Sequence, residues 1–322
     1  MVAFIVLAAG AVAVASGYVA LAALRDDSTS ARTPPPRAEL RRAMAQKPFL
    51  VYQHVARDEH YAEIAIAGVD PRSTPTFTGL VCSRVYFAGG QGLCLTTKQE
   101  TLAQAVNARI FGTDFRPLRT VRLDGLRSRA RVSPRGSYGA ATTFVAGHSY
   151  LDKGFSTFTA LIDMDKGEVL ADLEKFEVTR DGKRFDEIDF NFWGVTFARD
   201  ERRFYATLST GGKFYLVEGD VQTRRARVVA DGVECPSLSP DETRVAFKRR
   251  QGDTWRLHVL DLATGRETPL SETRSVDDQV EWLDDNRILY GLTKDVWVVR
   301  ADGRGKPRIY VHDGLSPAVV RS

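Results

Sequence analysis

Acidic side chains gather ahead of three β-rich stretches of this chain: Asp186, Glu187 and Asp189 with Asn191, then Glu234, then the pair Asp277 and Asp278. Carboxylates converging on one mouth concentrate field there, and such a ring can hold a cation such as Ca2+ or a basic peptide. No calcium-loop motif accompanies them, so no cofactor is assigned. Two carboxylates facing each other at about 5–10 Å would instead support hydrolysis of the glycosidase kind; with a metal, they would support lactonase chemistry. The competing explanation is local, because Asp in a turn accepts hydrogen bonds from nearby backbone N–H groups. Arg129 and Arg131 precede a further repeat, and Asp313 precedes the last strand.

Other catalytic patterns do not occur. There is no G-x-S-x-G, since the stretch from Gly147 through Ser149 departs from it at Leu151. Nor is there a phosphate-binding P-loop, an H-E-x-x-H pair or an EF-hand. His54, His60, His148, His258 and His312 are scattered and read as solvated or hydrogen-bonded strand residues. Cys82 and Cys94 flank two strands joined by the glycine-rich turn Gly89-Gly90. Pairing those strands brings the two cysteines roughly opposite, within reach of a bridge, with two buried free thiols as the alternative. Cys235 is left over and reads as packed.

Basic and acidic residues nearly balance, at 45 and 41. The short basic clusters (Arg127, Arg129 and Arg131; Arg224, Arg225 and Arg227; Lys248, Arg249 and Arg250) read as solvated strand edges, not as the one-sided stripe a nucleic acid requires. Residues 2–24 carry no charge and would make roughly 35 Å of helix, enough to cross a bilayer. Small residues at Ala13 and Ala15, and at Ala20 and Ala22, also offer signal-peptide spacing, but the run exceeds a signal core, so an uncleaved anchor over residues 1–24 is expected. Residues 25–47, with Pro34, Pro35 and Pro36, read as a linker with one short helix after Arg37. Arg25, Arg32, Arg37, Arg41, Arg42 and Lys47 follow the span, which by the positive-inside rule alone would leave the rest in the cytoplasm; a Cys82–Cys94 bridge calls for an oxidising compartment.

From residue 48 onward short β-rich runs alternate with turns. Residues 196–205, 237–247 and 281–290 share a strand–polar turn–strand plan, and 131–136 is a partial copy. The spacings from Phe197 to Leu238 and from Leu238 to Trp282, 41 and 44 residues, suit a four-stranded propeller blade. A second unit, a strand running into a tight Asp/Gly turn, occurs six times: 63–70, 107–114, 158–167, 215–220, 256–265 and 296–303. Six units imply six blades. Residues 316–320 read as an inner strand with nothing after it, and 49–70 as outer strands lacking one, so the two ends should complete a single blade.

The turn Ser239-Pro240-Asp241, the strand Arg244-Val245-Ala246-Phe247 and the run Val259-Leu260-Asp261-Leu262-Ala263-Thr264-Gly265 resemble the repeat of TolB-like six-bladed propellers. The resemblance covers 128–305 by motif and 49–127 by architecture; the N-terminal domain of that family has no counterpart. It implies an extracytoplasmic scaffold that binds proteins or peptides. The expectation is therefore an all-β chain: membrane anchor 1–24, linker 25–47 and propeller 48–322, single-pass in the cell membrane. It binds a protein or peptide at the envelope, with an enzyme acting through mouth carboxylates as the alternative.

Overall fold

The computed structural model describes residues 34–99, 104–145 and 156–321. The anchor expected over 1–24 lies outside them, and no helix among the described residues is long and apolar enough to cross a membrane. The rest is a six-bladed β-propeller. Its inner strands are Gly314–Val320, Arg84–Ala88, Leu126–Val132, Asn191–Phe197, Glu234–Leu238 and Glu281–Asp284, for blades 1 to 6. Successive inner strands touch all the way round, the sixth meeting the first.

Closure follows the expected scheme. Gly314–Val320 pairs antiparallel with Phe49–His54, matching Val320 to Phe49, Val319 to Leu50 and Ala318 to Val51. Ser316 Oγ then ties blade 1 to blade 2, donating to Val85 O at 3.2 Å and accepting from Val85 N at 3.3 Å.

Side-chain alternation builds the core. Phe49 and Val51 pack towards blade 2, whereas Leu50 and Tyr52 pack towards blade 6. A central strand buried on both faces needs apolar residues at consecutive positions, which is why Phe49 through Tyr52 read as an unbroken apolar run. Each of the six blade–blade interfaces has its own hydrophobic cluster.

The recurrent turn has a physical basis. Gly136, Glu201 and Glu242 occupy equivalent left-handed positions, with φ of 87°, 58° and 60°. Each donates its N–H to the carbonyl three residues back, on Ser133, Ala198 and Ser239. In the fullest copy Ser239 Oγ accepts from Arg244 N, and Asp241 accepts from Thr243 N. Acids in these turns also reach the preceding blade: Glu201 accepts from Arg135 N at 2.6 Å, Glu242 from Arg199 N at 2.5 Å and Asp285 from Asp241 N at 3.1 Å.

Three features differ from the expectation. Residues 34–47 are not purely a spacer: helix α1 (Arg37–Ala43) buries Leu40 in the hydrophobic cluster between blades 1 and 2, and Arg37 pairs with Asp114 at 3.0 Å. Blade 4 has six strands, not four. The hairpin Glu177–Arg180 and Lys183–Phe185 adds to its outer edge, its first strand running parallel to Arg225–Arg227. The Cys82–Cys94 disulfide is present, with Cα atoms 5.5 Å apart, but it is not a cross-strand pair. Cys94 faces Val85 in the register, and Cys82 sits in the link from blade 1, so the bridge staples the blade junction. Cys235 is free and buried.

Candidate functional site

Inner strands all run the same way, so the channel has an upper mouth where they begin and a lower mouth where they end. The two cavities there share no lining residue: roughly 490 Å3 above and roughly 580 Å3 below. Between them, side chains cross the axis. Arg131 of blade 3 donates to Val280 O of blade 6 at 2.7 Å and lies 3.7 Å from Glu281. Gln279 donates to Val195 O of blade 4 at 2.9 Å and to Pro236 O of blade 5 at 2.8 Å.

The upper mouth collects part of the acidic set. Glu234 and Asp277 line the cavity, together with Arg84, Arg127, Arg129, Lys248 and Trp255. Lys248 is nearly fully buried, pairs with Asp277 and sits 4.7 Å from the Trp255 ring centre. Arg129 reaches Asp277 from the opposite side of the channel at 3.4 Å. Glu234 accepts from Trp255 Nε1 at 3.1 Å. Asp278 is buried next to the cavity and accepts from Gly291 N at 2.9 Å.

The other members go elsewhere. Asp186 is exposed and pairs with Arg184 at 2.7 Å, and Glu187 is exposed beside it. Asp189 accepts from Gly211 N at 2.7 Å and from Thr210 Oγ1, capping the turn between two strands of blade 4. Asn191 Oδ1 accepts from Thr157 N at 2.7 Å. The physical cause is the added hairpin. It carries the chain to the outer edge of blade 4, so 186–190 returns along the blade instead of lining the mouth.

The sign of the mouth also differs from a ring of carboxylates. Four cations and two carboxylates line the upper cavity. The basic cluster members Arg129 and Lys248 are not solvated edge residues but point inward. Arg129 and Arg131 follow the period of two that puts them on one face of an inner strand, and that spacing could have placed them; a bulge separates Arg127 from this alternation.

Electrostatics separate the carboxylates. Burial raises Glu234 above its usual range despite Lys248 and the Trp255 bond. Burial also pushes Asp277 upward, but the Lys248 charge and hydrogen bond, with Arg129 behind them, outweigh it and hold it low. At Asp189, burial acts upward and the Thr210 and Gly211 bonds win, leaving it below normal. Among the described residues no group of three or more His, Cys, Asp or Glu side chains is placed to hold a metal ion.

No family model matches the chain, and no curated protein matches its sequence. Solved structures do match. TolB from Acinetobacter baumannii superposes with a TM-score of 0.59 at 17% identity, over 84% of this chain and 66% of that one. A chain of the nidogen/laminin complex gives 0.54 at 10% identity, over 84% and 97%. The periplasmic gluconolactonase of Pseudomonas aeruginosa gives 0.50 at 14% identity, over 85% and 99%. This chain thus spans just under two thirds of the length of that TolB. It is a six-bladed β-propeller with the TolB-like fold.

Proposed function

We propose that this chain is a non-catalytic binding propeller of the cell envelope, tethered by residues 2–24 with the propeller outside the cytoplasm, which takes a protein or peptide partner at its upper mouth. The observation that carries this is the mouth itself: an open cavity with charges of both signs around the Trp255 wall. Such a mixture of aromatic anchor and polar rim is the anatomy of a protein interface. The surplus of cations favours a partner segment bearing carboxylates. The TolB-like fold and the nidogen/laminin likeness fit a protein partner. Crosslinking in intact cells, followed by recovery of the solubilised full chain, tests it. A partner captured by the wild type and lost with Arg127→Glu together with Trp255→Ala supports the reading; one captured equally by both overturns it.

A second reading rests on one observation. Glu234 and Asp277 share the cavity and are pushed in opposite directions, one raised by burial and the other held low by Lys248. Two carboxyl groups of one cavity shifted in opposite directions match the pairing of acid and carboxylate in a glycosidase. Release of sugar from an aryl-glycoside panel, abolished by Glu234→Gln, would establish it.

A further inference from the structure

The lower mouth holds a second cavity, and its shape and charge select a different ligand. Its floor is closed by Arg131 and Glu281, which bridge blades 3 and 6. A closed floor excludes a chain threading through the axis and admits a chain end. Four arginines and two glutamates line the cavity. Both glutamates are already engaged: Glu281 by Arg131 at 3.7 Å, Arg321 at 3.5 Å and the Tyr86 hydroxyl at 3.1 Å, and Glu242 by Arg199 N at 2.5 Å and Arg203 at 3.4 Å. Arg135 and Arg199 are exposed on the neighbouring turns of blades 3 and 4, and the Arg135 guanidinium meets no carboxylate among the described residues. Between floor and rim, Tyr86, Phe197 and Leu238 give an apolar wall.

We propose that this lower cavity binds the C-terminal residue of a peptide, with its side chain against the apolar wall and its α-carboxylate at Arg135 and Arg199. A volume of roughly 580 Å3 suits a ligand of that size. Capture of a chain terminus by fixed donors is a recurrent mode of peptide recognition. The site is separate from the upper mouth, whose lining it does not share.

The test uses the purified full chain in detergent and a fluorescein-labelled octapeptide ending in phenylalanine, made as the free acid and as the C-terminal amide. Fluorescence anisotropy should show the free acid binding about tenfold tighter than the amide, with the difference shrinking as salt rises. Arg135→Glu with Arg199→Glu should abolish that preference, and Arg135→Gln with Arg199→Gln should weaken it without charge reversal. Both pairs lie in exposed turns, and circular dichroism checks that they fold. Arg127→Glu with Trp255→Ala, at the upper mouth, should leave the preference intact. Equal binding of acid and amide, no binding of either, or a loss that follows the upper-mouth variant would each overturn the proposal. The upper-mouth variant keeps its failure distinct from failure of the upper-mouth reading, which partner capture reports separately.

Discussion

Arg131 of blade 3 and Glu281 of blade 6 stand 3.7 Å apart across the channel axis, both almost wholly buried. Breaking a buried pair from one side leaves an uncompensated charge, so Glu281→Ala should lower unfolding free energy by about 3–5 kcal/mol. Replacing both, with Arg131→Met and Glu281→Leu, should recover most of the loss. Urea unfolding of the single and double variants measures the difference.

The disulfide closes a short loop, with a sequence separation of 12. Replacing both Cys82 and Cys94 by Ala should cost about 2–3 kcal/mol, and thiol mapping of the native protein should label Cys235 alone, after denaturation. Labelling of the peptide spanning Cys82 and Cys94 without prior reduction would contradict the bridge.

Acid should loosen the segment leading into blade 6. Burial pushes the Glu272 carboxyl up, but bonds from Arg274 and Tyr290 outweigh it and bring it down to about 2, from an ordinary 4.5. A lowered folded value means the stabilisation is fully present above about pH 4.5 and is lost as pH falls towards 2. Glu272→Gln should flatten the fall of the urea midpoint across that window, and an unchanged slope would assign the loss to other groups.

Asp189→Ala removes a turn cap and should cost roughly 1 kcal/mol while leaving partner capture unchanged. Loss of capture without loss of stability would return Asp189 to the binding site.

The blade count and the closure were legible because each depends on local pattern. Ser239-Pro240-Asp241 and its copies place a left-handed residue at a fixed point, and the third strand of every blade ends in an Asp/Gly turn. The site was legible only in part. Glu234 reaches the mouth because it opens an inner strand, and Asp277 because it lies in the link that enters the inner strand of blade 6. Asp186 and Glu187 precede one too, yet the hairpin between them and blade 3 takes them to the blade edge. Asp181 and Gly182, at φ of 51° and 72°, are the local signal of that hairpin. Lys248 could not be placed from its neighbours. It lies on a second strand, and only the blade register turns it, and not Arg249, towards the axis.

The junction of Gly314–Val320 with Phe49–His54 also governs when the ring can form. The residues that complete the first blade are translated on the order of tens of seconds after those they pair with, at ribosomal rates of about 5–20 residues per second. Until then Leu50 and Val51 belong to a three-stranded sheet with an open apolar edge. Blades 2 to 6 can assemble as their strands emerge. The first must wait for Gly314–Val320 to emerge, and until it does that edge is the part of the ring most exposed to misassembly.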